Sequence, residues 1–290
     1  VQKFYEEEMS PYIEDWVNDG VVPKKFWQKA GDAGIMGGAV PEEVGGFGGD
    51  LGFDSITVYE QAKKGDSGWG YGIQSIVIHY LDAYGTDEQK NKWLPKLIAG
   101  TSIASLAMTE PGAGSDLQAI KTTAKREGNQ YKLNGSKIFI TNGGSADLVV
   151  VAAKTDQEAG AKGISLILLD TNEAEGFSRG SPLKKLGLKG NDTAELFFDD
   201  IKIPLTNLIG SEEGQGFYQM MKQLPWERLL IGITALGAID FALEETIKYV
   251  QERKAFGKRI MDLQNTRFKL AEAKTKAEVL RSFVNDCISR

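Results

Sequence analysis

The sequence predicts an α+β multidomain protein with three units: an N-terminal helical domain (1–102), a middle antiparallel β-barrel or sandwich domain (103–212) and a C-terminal helical bundle domain (213–290). Apolar residues recur near every fourth position in the first and last units, whereas the middle unit alternates with a period of two. Because no helical pattern separates the middle strands, we expect their sheet to be closed or sandwiched rather than doubly wound. A chain of 290 residues is long enough for two or three such units.

The composition limits the chemistry that the chain can carry. A net charge of −6 and a pI near 5.1 disfavour a nucleic-acid or anionic-membrane partner, because the basic surface that such partners require is not in surplus. Cys287 and His79 are the sole residues of their types, which excludes an internal disulfide, a His/Cys metal site and catalysis by two histidines. Catalysis must therefore come from carboxylates or from a cofactor.

The sequence carries no targeting signal that we can identify. No apolar run reaches the ~20 residues of a membrane span, and no signal peptide opens the chain. We therefore expect a protein of the cytosol or of an organelle matrix. The first residue is Val1 rather than methionine, which suggests that some N-terminal sequence is absent.

The first hundred residues read as helices. One apolar face runs from Phe4 to Val17, and a second short helix is expected from Phe26 to Ile35. The run from Pro41 to Gly52 contains five glycines and resembles a phosphate loop, but its flanks favour a structural or gating loop. Three further helices are predicted at 54–64, 69–84 and 86–98. The last of them begins with a capping box formed by Thr86 and Gln89, and Gly100 ends it. In the second of these, His79 is expected to be a core residue with a satisfied hydrogen bond.

The middle unit reads as short strands. Asn134 and Gly135 separate two of them, and this dipeptide is a strong signal for a tight hairpin turn. The predicted strands have period-two alternation and turn residues at their ends: Ile103–Thr109, Ile120–Glu127, Gln130–Leu133, Ser136–Thr141, Leu148–Lys154, Gly163–Asp170 and Ala194–Asp199.

The loop Ser105–Asp116 stands at the entrance to this unit. Its glycines allow close approach of backbone N–H groups to a ligand, and its hydroxyls add hydrogen-bonding groups, which suits phosphates or a flat polar ring. It matches neither a P-loop nor a dinucleotide-binding turn. Glu110 and Asp116 would repel a bare pyrophosphate, so we expect both to turn away from any such ligand. An ordinary surface loop is the alternative.

Helical spacing returns after the middle unit. One long helix is predicted from Phe217 to Gln251, with a kink at Pro225, and a second from Leu263 to the end. Two helices cannot bury all of their apolar surface, so we expect about two of four helices of a bundle. Either a partner chain covers them or the sequence stops early.

Four segments resemble the acyl-CoA dehydrogenase family and occur in the family's order. They are AMTEPGAGSD at 107–116, KIFITNGG at 137–144, LPWERL at 224–229 and YVQERKAFGKRIMDLQ at 249–264. The helical, β and helical layout agrees with that family's fold, and the resemblance covers essentially the whole chain. Within the family, GFYQMM, LPWERLL and DTAELFFDDIKIP look more like the long-chain enzyme than the isovaleryl enzyme.

The resemblance implies an FAD site. The loop from Leu106 to Ser115 would wrap the flavin, with Phe139 in a position where many members have Trp. The implied cofactor residues are Leu106, Ala107, Met108, Thr109, Gly114, Ser115, Phe139, Ile140, Thr141, Arg253, Phe256 and Gln264. Of these, Arg253, Phe256 and Gln264 would bind the FAD of a neighbouring subunit.

The resemblance also implies an acyl-CoA site and a general base. Glu227 matches the glutamate that removes the α-proton in the isovaleryl and long-chain enzymes, and desolvation there would raise its pKa. Its alternative role is a surface glutamate paired with a neighbour. The implied contacts to the thioester and CoA are Ser115, Leu117, Gln118, Tyr218, Pro225, Trp226 and Arg228.

As the resemblance implies, the chain would be an FAD-dependent enzyme that converts a fatty acyl-CoA, with a long chain expected, to the trans-2-enoyl-CoA. Electrons would pass to electron-transfer flavoprotein, and the chain would form a homotetramer, a dimer of dimers. It would lie in the cytoplasm if bacterial and in the mitochondrial matrix if eukaryotic. The alternatives are an acyl-CoA oxidase, a non-catalytic scaffold and, disfavoured by the acidic charge, a DNA-associated relative.

The resemblance also shows a departure at the C-terminus. The family normally continues for two more helices beyond the position of Arg290, and these carry flavin contacts and a backbone N–H that polarises the thioester. Losing that donor would cost roughly 3–4 kcal/mol of transition-state stabilisation. We therefore expect the 290 residues to be a piece of an active enzyme rather than the entire polypeptide.

Overall fold

The computed structural model describes residues 1–65 and 68–290 and confirms the predicted fold class of helices, sheet and helices. Among these described residues, six α-helices precede the sheet and two long α-helices follow it. Their bounds are α1 Gln2–Glu8, α2 Ile13–Asp19, α3 Lys24–Asp32, α4 Leu51–Ala62, α5 Tyr71–Tyr84, α6 Asp87–Ile98, α7 Gly216–Glu252 and α8 Gln264–Ser289.

The apolar face at the N-terminus belongs to two helices rather than to one. A 3-10 turn at Ser10–Tyr12 separates α1 from α2 and contains Pro11, which has no N–H to continue the helix. Other local predictions in this unit are confirmed. Thr86 and Gln89 form the capping box of α6, and Gly100 takes the left-handed conformation after that helix.

A seven-stranded sheet forms the middle unit and curls into a half-barrel. Its order is β1-β4-β2-β3-β7-β6, with β5 paired to β4. Most pairs are antiparallel as predicted, but β1 and, at one residue pair, β2 run parallel to β4, which the sequence pattern did not reveal. The bounds are β1 Ala104–Ala107, β2 Thr123–Glu127, β3 Gln130–Thr141, β4 Leu148–Lys154, β5 Ile164–Asp170, β6 Phe177–Arg179 and β7 Thr193–Pro204.

The side chains of β4 point alternately to the two faces of the sheet, which explains how the sheet joins the helical units. Leu148, Val150 and Ala152 pack in the core that the sheet shares with the helices. Val149 and Val151, on the opposite face, pack inside the curled sheet. Because both faces of this strand are buried, it reads as a continuous apolar run and holds the two cores together.

The predicted hairpin at Asn134–Gly135 is wrong. These residues lie within the single strand β3, where the pairing with β7 shifts between Leu133 and Gly135. Asn134 exchanges two hydrogen bonds of 2.9 Å with Asp200, the residue opposite the irregularity. Gly135 has φ 144°, and a Cβ there would meet the Thr122 hydroxyl at 2.5 Å. A β-bulge, rather than a turn, therefore accounts for the glycine.

The two long helices pack on each other and on α4. As predicted, α7 is one helix, and it continues through Pro225 over 37 residues. A short hairpin, β8 Lys254–Ala255 and β9 Lys258–Arg259, connects it to α8. Arg281 of α8 forms two hydrogen bonds to Asp240 of α7, at 2.7 and 2.6 Å, and one to the Tyr59 hydroxyl of α4 at 3.2 Å. In the part of the chain that the structure describes, no helix has the length and apolar character needed to span a bilayer.

Candidate active site

A cavity of about 610 Å³ lies where α4, α5 and α7 meet the end of β3. Its wall is mostly apolar, and Glu227 is the only ionisable side chain among the described residues that line it. Such a combination of apolar wall and single acid is typical of a site for an apolar substrate and a proton transfer. The lining residues are Val58, Gln61, Ala62, Gly65, Trp69, Gly70, Gly72, Ile73, Ile76, Thr141, Gly187, Leu188, Asn191, Glu227, Leu230, Ile231, Thr234, Ala238 and Phe241.

Glu227 is partly buried and has one strong hydrogen-bond partner. The hydroxyl of Tyr80, a fully buried residue of α5, donates to Glu227 Oε1 at 2.9 Å. Burial raises the pKa of Glu227, and the Tyr80 hydrogen bond and the Arg228 charge reduce that effect without cancelling it. Burial and the Glu227 charge raise the pKa of Tyr80, so its hydroxyl stays protonated and remains a donor.

Thr141 lies in the same cavity as Glu227, although 86 positions separate them in the sequence. It ends β3, and its carbonyl accepts a 2.7 Å hydrogen bond from the Ser105 hydroxyl of β1. The next residue, Asn142, donates to the carbonyls of Gly70 and Ala104 at 3.1 and 3.0 Å. These bonds fix the end of β3 against α5 and β1, and so they bring two predicted site residues into one space.

Phe139 has the features of a ligand contact. It has φ 61°, a left-handed conformation that is an outlier for an aromatic residue, and 65 % of it is exposed. The pairing of β3 with β7 is irregular between Lys137 and Ile140, so a bulge turns this ring outward while Ile140 stays buried. A strained, exposed aromatic beside Thr141 fits the face of a flat ring system.

The segment 105–116, in which 105–107 belong to β1 and the rest is the loop, lies alongside this strand. The N–H of Ile138 donates to the carbonyl of Thr109 at 2.9 Å, so the segment that contains Phe139 and the loop are direct neighbours. Gly112, Gly114 and Ser115 are exposed, and a Cβ on Gly112 would meet no atom within 4 Å. The remaining predicted members are Ala107, which is buried, and Leu106, Met108 and Thr109, which are partly exposed.

The two acids of this loop have different surroundings. Glu110 turns into the protein and is 8 % exposed, as we expected. It accepts hydrogen bonds from the N–H groups of Lys121 and Thr122 and forms an ion pair with the buried Lys137. Burial alone would raise the pKa of Glu110, but these partners bring it below its usual value. Asp116 is exposed.

The predicted CoA-side residues do not line this cavity. Ser115 lies near the end of the loop, and Leu117 and Gln118 lie on the 3-10 turn that follows it. Tyr218, on the first turn of α7, lines a separate cavity of about 460 Å³. Pro225 and Arg228 flank Glu227 and are exposed. Trp226 belongs to the core and packs edge-on against His79 at 5.8 Å. The structure therefore supports contact with a ligand less directly for Trp226 than for Glu227.

Arg253, Phe256 and Gln264 form a separate group at the far end of α7. Arg253 caps that helix and its carbonyl accepts from Ile260 at 2.9 Å, while Gln264 begins α8. Phe256 is 92 % exposed with φ 53°. A helix rises 1.5 Å per residue, so Arg253 lies roughly 39 Å along α7 from Glu227. The two groups therefore cannot surround one small region of the same chain.

Sequence reasoning missed Tyr80. It lies in an apolar helix, and nothing in its spacing indicates that its hydroxyl reaches a carboxylate 147 positions away. His79 was predicted as a satisfied core residue, and its Nε2 lies 2.7 Å from Asp54 Oδ2. Among residues 1–65 and 68–290, no group of three or more acidic, histidine or cysteine side chains is arranged to hold a metal ion.

Comparisons with known proteins match nearly the whole chain. Family models for the acyl-CoA dehydrogenase N-terminal, middle and C-terminal domains match residues 1–101, 105–201 and 214–290. Long-chain specific acyl-CoA dehydrogenase from Rattus norvegicus mitochondria is 49% identical over 99% of this chain and 67% of its own length.

Two solved structures share the fold closely. The acyl-CoA dehydrogenase of Geobacillus kaustophilus superposes with a TM-score of 0.96 at 46% identity, covering 99% of this chain and 76% of that one. A chain in a structure of the electron transferring flavoprotein of Acidaminococcus fermentans gives a TM-score of 0.94 at 38% identity, over 99% and 76% of the two chains.

Proposed function

The chain belongs to the acyl-CoA dehydrogenase family, and from that premise we propose that it oxidises a long-chain acyl-CoA to the trans-2-enoyl-CoA, with Glu227 as the general base. Members of the family are FAD-dependent flavoproteins that act on CH–CH bonds. The observation that carries the proposal is the position of Glu227 as the only ionisable side chain, among the described lining residues, of an apolar cavity.

Residues of the loop 105–116 and of the end of β3, of which Thr141 also lines the cavity, fit an FAD ring. Phe139 offers an exposed aromatic face, Thr109 and Thr141 offer hydroxyls, and the space in front of Gly112 is open. We propose that the segments 106–115 and 139–141 hold the flavin. When bound there, FAD supplies the acceptor for the hydride that leaves the β-carbon of the substrate.

The chain's own contribution to the reaction is a proton transfer. The Glu227 carboxylate takes the proton from the α-carbon, and burial favours this because it raises the pKa of that carboxyl towards the range of a working base. The Tyr80 hydroxyl holds the carboxylate in one orientation through its 2.9 Å hydrogen bond. The apolar wall excludes water from the acyl chain and from the base.

The length of the cavity supports a long acyl chain. Six of its lining residues form a stripe along α7 at helical spacing, from Glu227 to Phe241. Fourteen residues of helix rise roughly 21 Å. An extended hydrocarbon advances about 1.25 Å per carbon because its C–C bonds of about 1.5 Å zigzag. The stripe can therefore accompany an acyl chain of roughly 16 carbons.

We further propose that electrons leave to a soluble electron-transfer flavoprotein and that subunits assemble as a homotetramer. The similarity to a chain in an electron transferring flavoprotein structure supports the first statement. The separation of Arg253, Phe256 and Gln264 from Glu227 along α7 supports the second, since a cofactor of a neighbouring subunit is the partner expected for that exposed group.

The first prediction tests the base directly. We expect Glu227→Gln to bind FAD and acyl-CoA normally, because its shape is unchanged, while bleaching of the flavin by a long-chain acyl-CoA slows by at least about a thousandfold. Stopped-flow absorbance measures that rate. Glu245→Gln, an exposed acid on the same helix, is the matched control and should bleach like the unsubstituted protein.

Three results would contradict the proposal. Bleaching of the Glu227→Gln protein at an unchanged rate would move the base to another residue. Rapid reoxidation of the reduced flavin by air, with hydrogen peroxide as product, would assign an acyl-CoA oxidase instead of a dehydrogenase. If the purified protein contains no flavin and has no affinity for FAD, the chain would be a non-catalytic scaffold instead of an enzyme.

A further inference from the structure

Lys137 is an ammonium buried where two chain segments meet. Its side chain has no exposed surface, and it lies on β3 two residues before Phe139. Its Nζ donates to Glu110 Oε1 at 2.9 Å and to the carbonyl of Met108 at 2.8 Å. Both acceptors belong to the loop 105–116. One side chain of β3 therefore makes two hydrogen bonds to that loop.

This contact is reinforced by backbone hydrogen bonds on both sides. The N–H of Ile138, the next residue of β3, donates to the carbonyl of Thr109 at 2.9 Å. Glu110 is itself held by the N–H groups of Lys121 at 2.6 Å and Thr122 at 2.9 Å. The carboxylate therefore cannot follow Lys137 if β3 moves, and the spacing between β3 and the loop is set by the lysine.

Burying the lysine has an energetic cost that a surface pair would not have. Desolvation lowers the pKa of Lys137 to about 8, although the attraction of Glu110 opposes that change. On the same strand, Lys132 forms a 2.7 Å ion pair with Asp200 that is open to solvent on both sides. Open pairs of this kind contribute little. A fold that needed only a charge pair on β3 would have it at the surface.

We propose that Lys137 is a positioning residue for the flavin site, which fixes the distance between the wall containing Phe139 and the wall containing Met108 and Thr109. This inference rests on the proposed function, because those two walls are the ones assigned to FAD. Lys137 does not touch the ring. It acts through the Met108 carbonyl and through Glu110, so that the pocket is already formed before the cofactor enters.

The test compares Lys137→Met with Lys132→Met. Methionine retains the volume of the buried stem but removes the ammonium, so the loop loses both hydrogen bonds. We expect the dissociation constant for FAD, measured by quenching of flavin fluorescence on the apoprotein, to rise ~10–100-fold in Lys137→Met. At saturating FAD, the visible circular dichroism of the bound flavin should change, because its walls are no longer fixed. Lys132→Met should match the unsubstituted protein in both measurements.

The circular dichroism distinguishes positioning from simple stabilisation. A lysine that only stabilised the fold would lower the unfolding temperature of the apoprotein and leave the spectrum of bound flavin unchanged, which would overturn the proposal. Equal FAD affinity in Lys137→Met and the unsubstituted protein would also overturn it, as would equal weakening by Lys132→Met.

A second variant covers a failure of Lys137→Met to fold. Glu110→Gln retains the shape and the acceptor oxygen but removes the carboxylate charge, and it should show the same change in the flavin spectrum to a smaller extent. An unchanged spectrum and affinity in Glu110→Gln would refute the role of the pair. If the unsubstituted protein itself does not bind FAD, the proposed function fails, and that outcome is distinct from all of these.

Discussion

At the scale of single residues, the working of the site depends on how Tyr80 and burial act on one carboxylate. Burial favours the protonated form of Glu227, whereas the hydroxyl of Tyr80 favours the ionised form. In the role proposed for Glu227, burial increases the affinity of the carboxylate for a proton, and the hydrogen bond opposes that increase.

A residue-scale prediction follows for Tyr80→Phe. Removing a donor to the carboxylate raises the pKa of Glu227 further, so the ionised fraction falls and the acid limb of the bleaching rate moves to higher pH. On the acid side of the limb we expect a rate loss of about tenfold, since hydrogen bonds to charged groups contribute more than about 1.4 kcal/mol. Stopped-flow bleaching between pH 5.5 and 9 measures the shift.

The neighbouring Tyr84 supplies the control for that prediction. It lies one turn further along α5, and its hydroxyl contacts Gln219 and Gln223 rather than Glu227. Tyr84→Phe should therefore leave the pH profile where it is. A profile that is the same for Tyr80→Phe and the unsubstituted protein would show that the hydrogen bond does not tune the base.

At the scale of elements, the sequence predicted periodicities better than it predicted contacts. The two long helices, the capping box at Thr86 and most strands followed from local spacing, because amphipathic period and cap chemistry are local properties. The bulge at Asn134 did not, since its cause is Asp200 on a strand 66 positions away. The same turn-forming dipeptide serves a hairpin or a bulge, and only the paired strand decides which forms.

The candidate site was predictable to the same extent. Glu227 and the residues of the loop 105–116 were proposed as site residues because short motifs resemble a known family, yet neither Tyr80 nor the Lys137–Glu110 pair carries a local signal. Both depend on long-range packing: α5 against α7 in one case and β3 against the loop in the other. A single sequence does not give such contacts, because they depend on how whole elements are placed.

An element-scale prediction concerns the stripe of α7 that lines the cavity. We expect Ala238→Trp to fill the end of the stripe near Phe241, and so to lower kcat/KM for a 16-carbon acyl-CoA by at least about tenfold while an 8-carbon substrate is unaffected. A panel of acyl-CoA thioesters of graded length measures this. Ala235→Trp, exposed on the same helix but outside the cavity wall, is the control.

The panel also has an outcome that excludes the proposed location of the acyl chain. If Ala238→Trp lowers kcat/KM equally for both chain lengths, the indole disturbs the helix rather than the end of the chain. If it lowers neither, the acyl tail does not follow α7 past Thr234. In both cases the correspondence between the helical rise and the length of the acyl chain would have to be abandoned.

At the scale of the whole molecule, α7 separates the predicted base from the group Arg253, Phe256 and Gln264 that is predicted to bind a cofactor. The Glu227 end faces the cavity, and the Phe256 end is exposed some 39 Å away by the rise of the helix. In a two-fold assembly each of two equivalent sites receives one group from each subunit. Neither end would then be sufficient in an isolated chain.

A complementation experiment tests that arrangement. Glu227→Gln and the double variant Arg253→Ala, Phe256→Ala should each be inactive alone, one without its base and the other without firm cofactor binding. In hetero-oligomers purified through two different tags, about half of the sites should regain both groups and bleach with acyl-CoA. If mixed assemblies stay inactive, the two groups serve the same chain. Mixing Glu227→Gln with Glu245→Gln gives the reference activity for one intact partner.

The raised pKa of Glu227 has a consequence for efforts to make this protein more robust. Because the folded chain holds that proton more tightly than an unfolded chain does, ionisation above the raised pKa weakens the native state. The acid that we propose as the general base therefore lowers the stability of the fold when it is ionised. Selection for heat resistance alone would favour variants in which a neutral residue replaces the acid, and we expect such variants to be more thermostable but inactive.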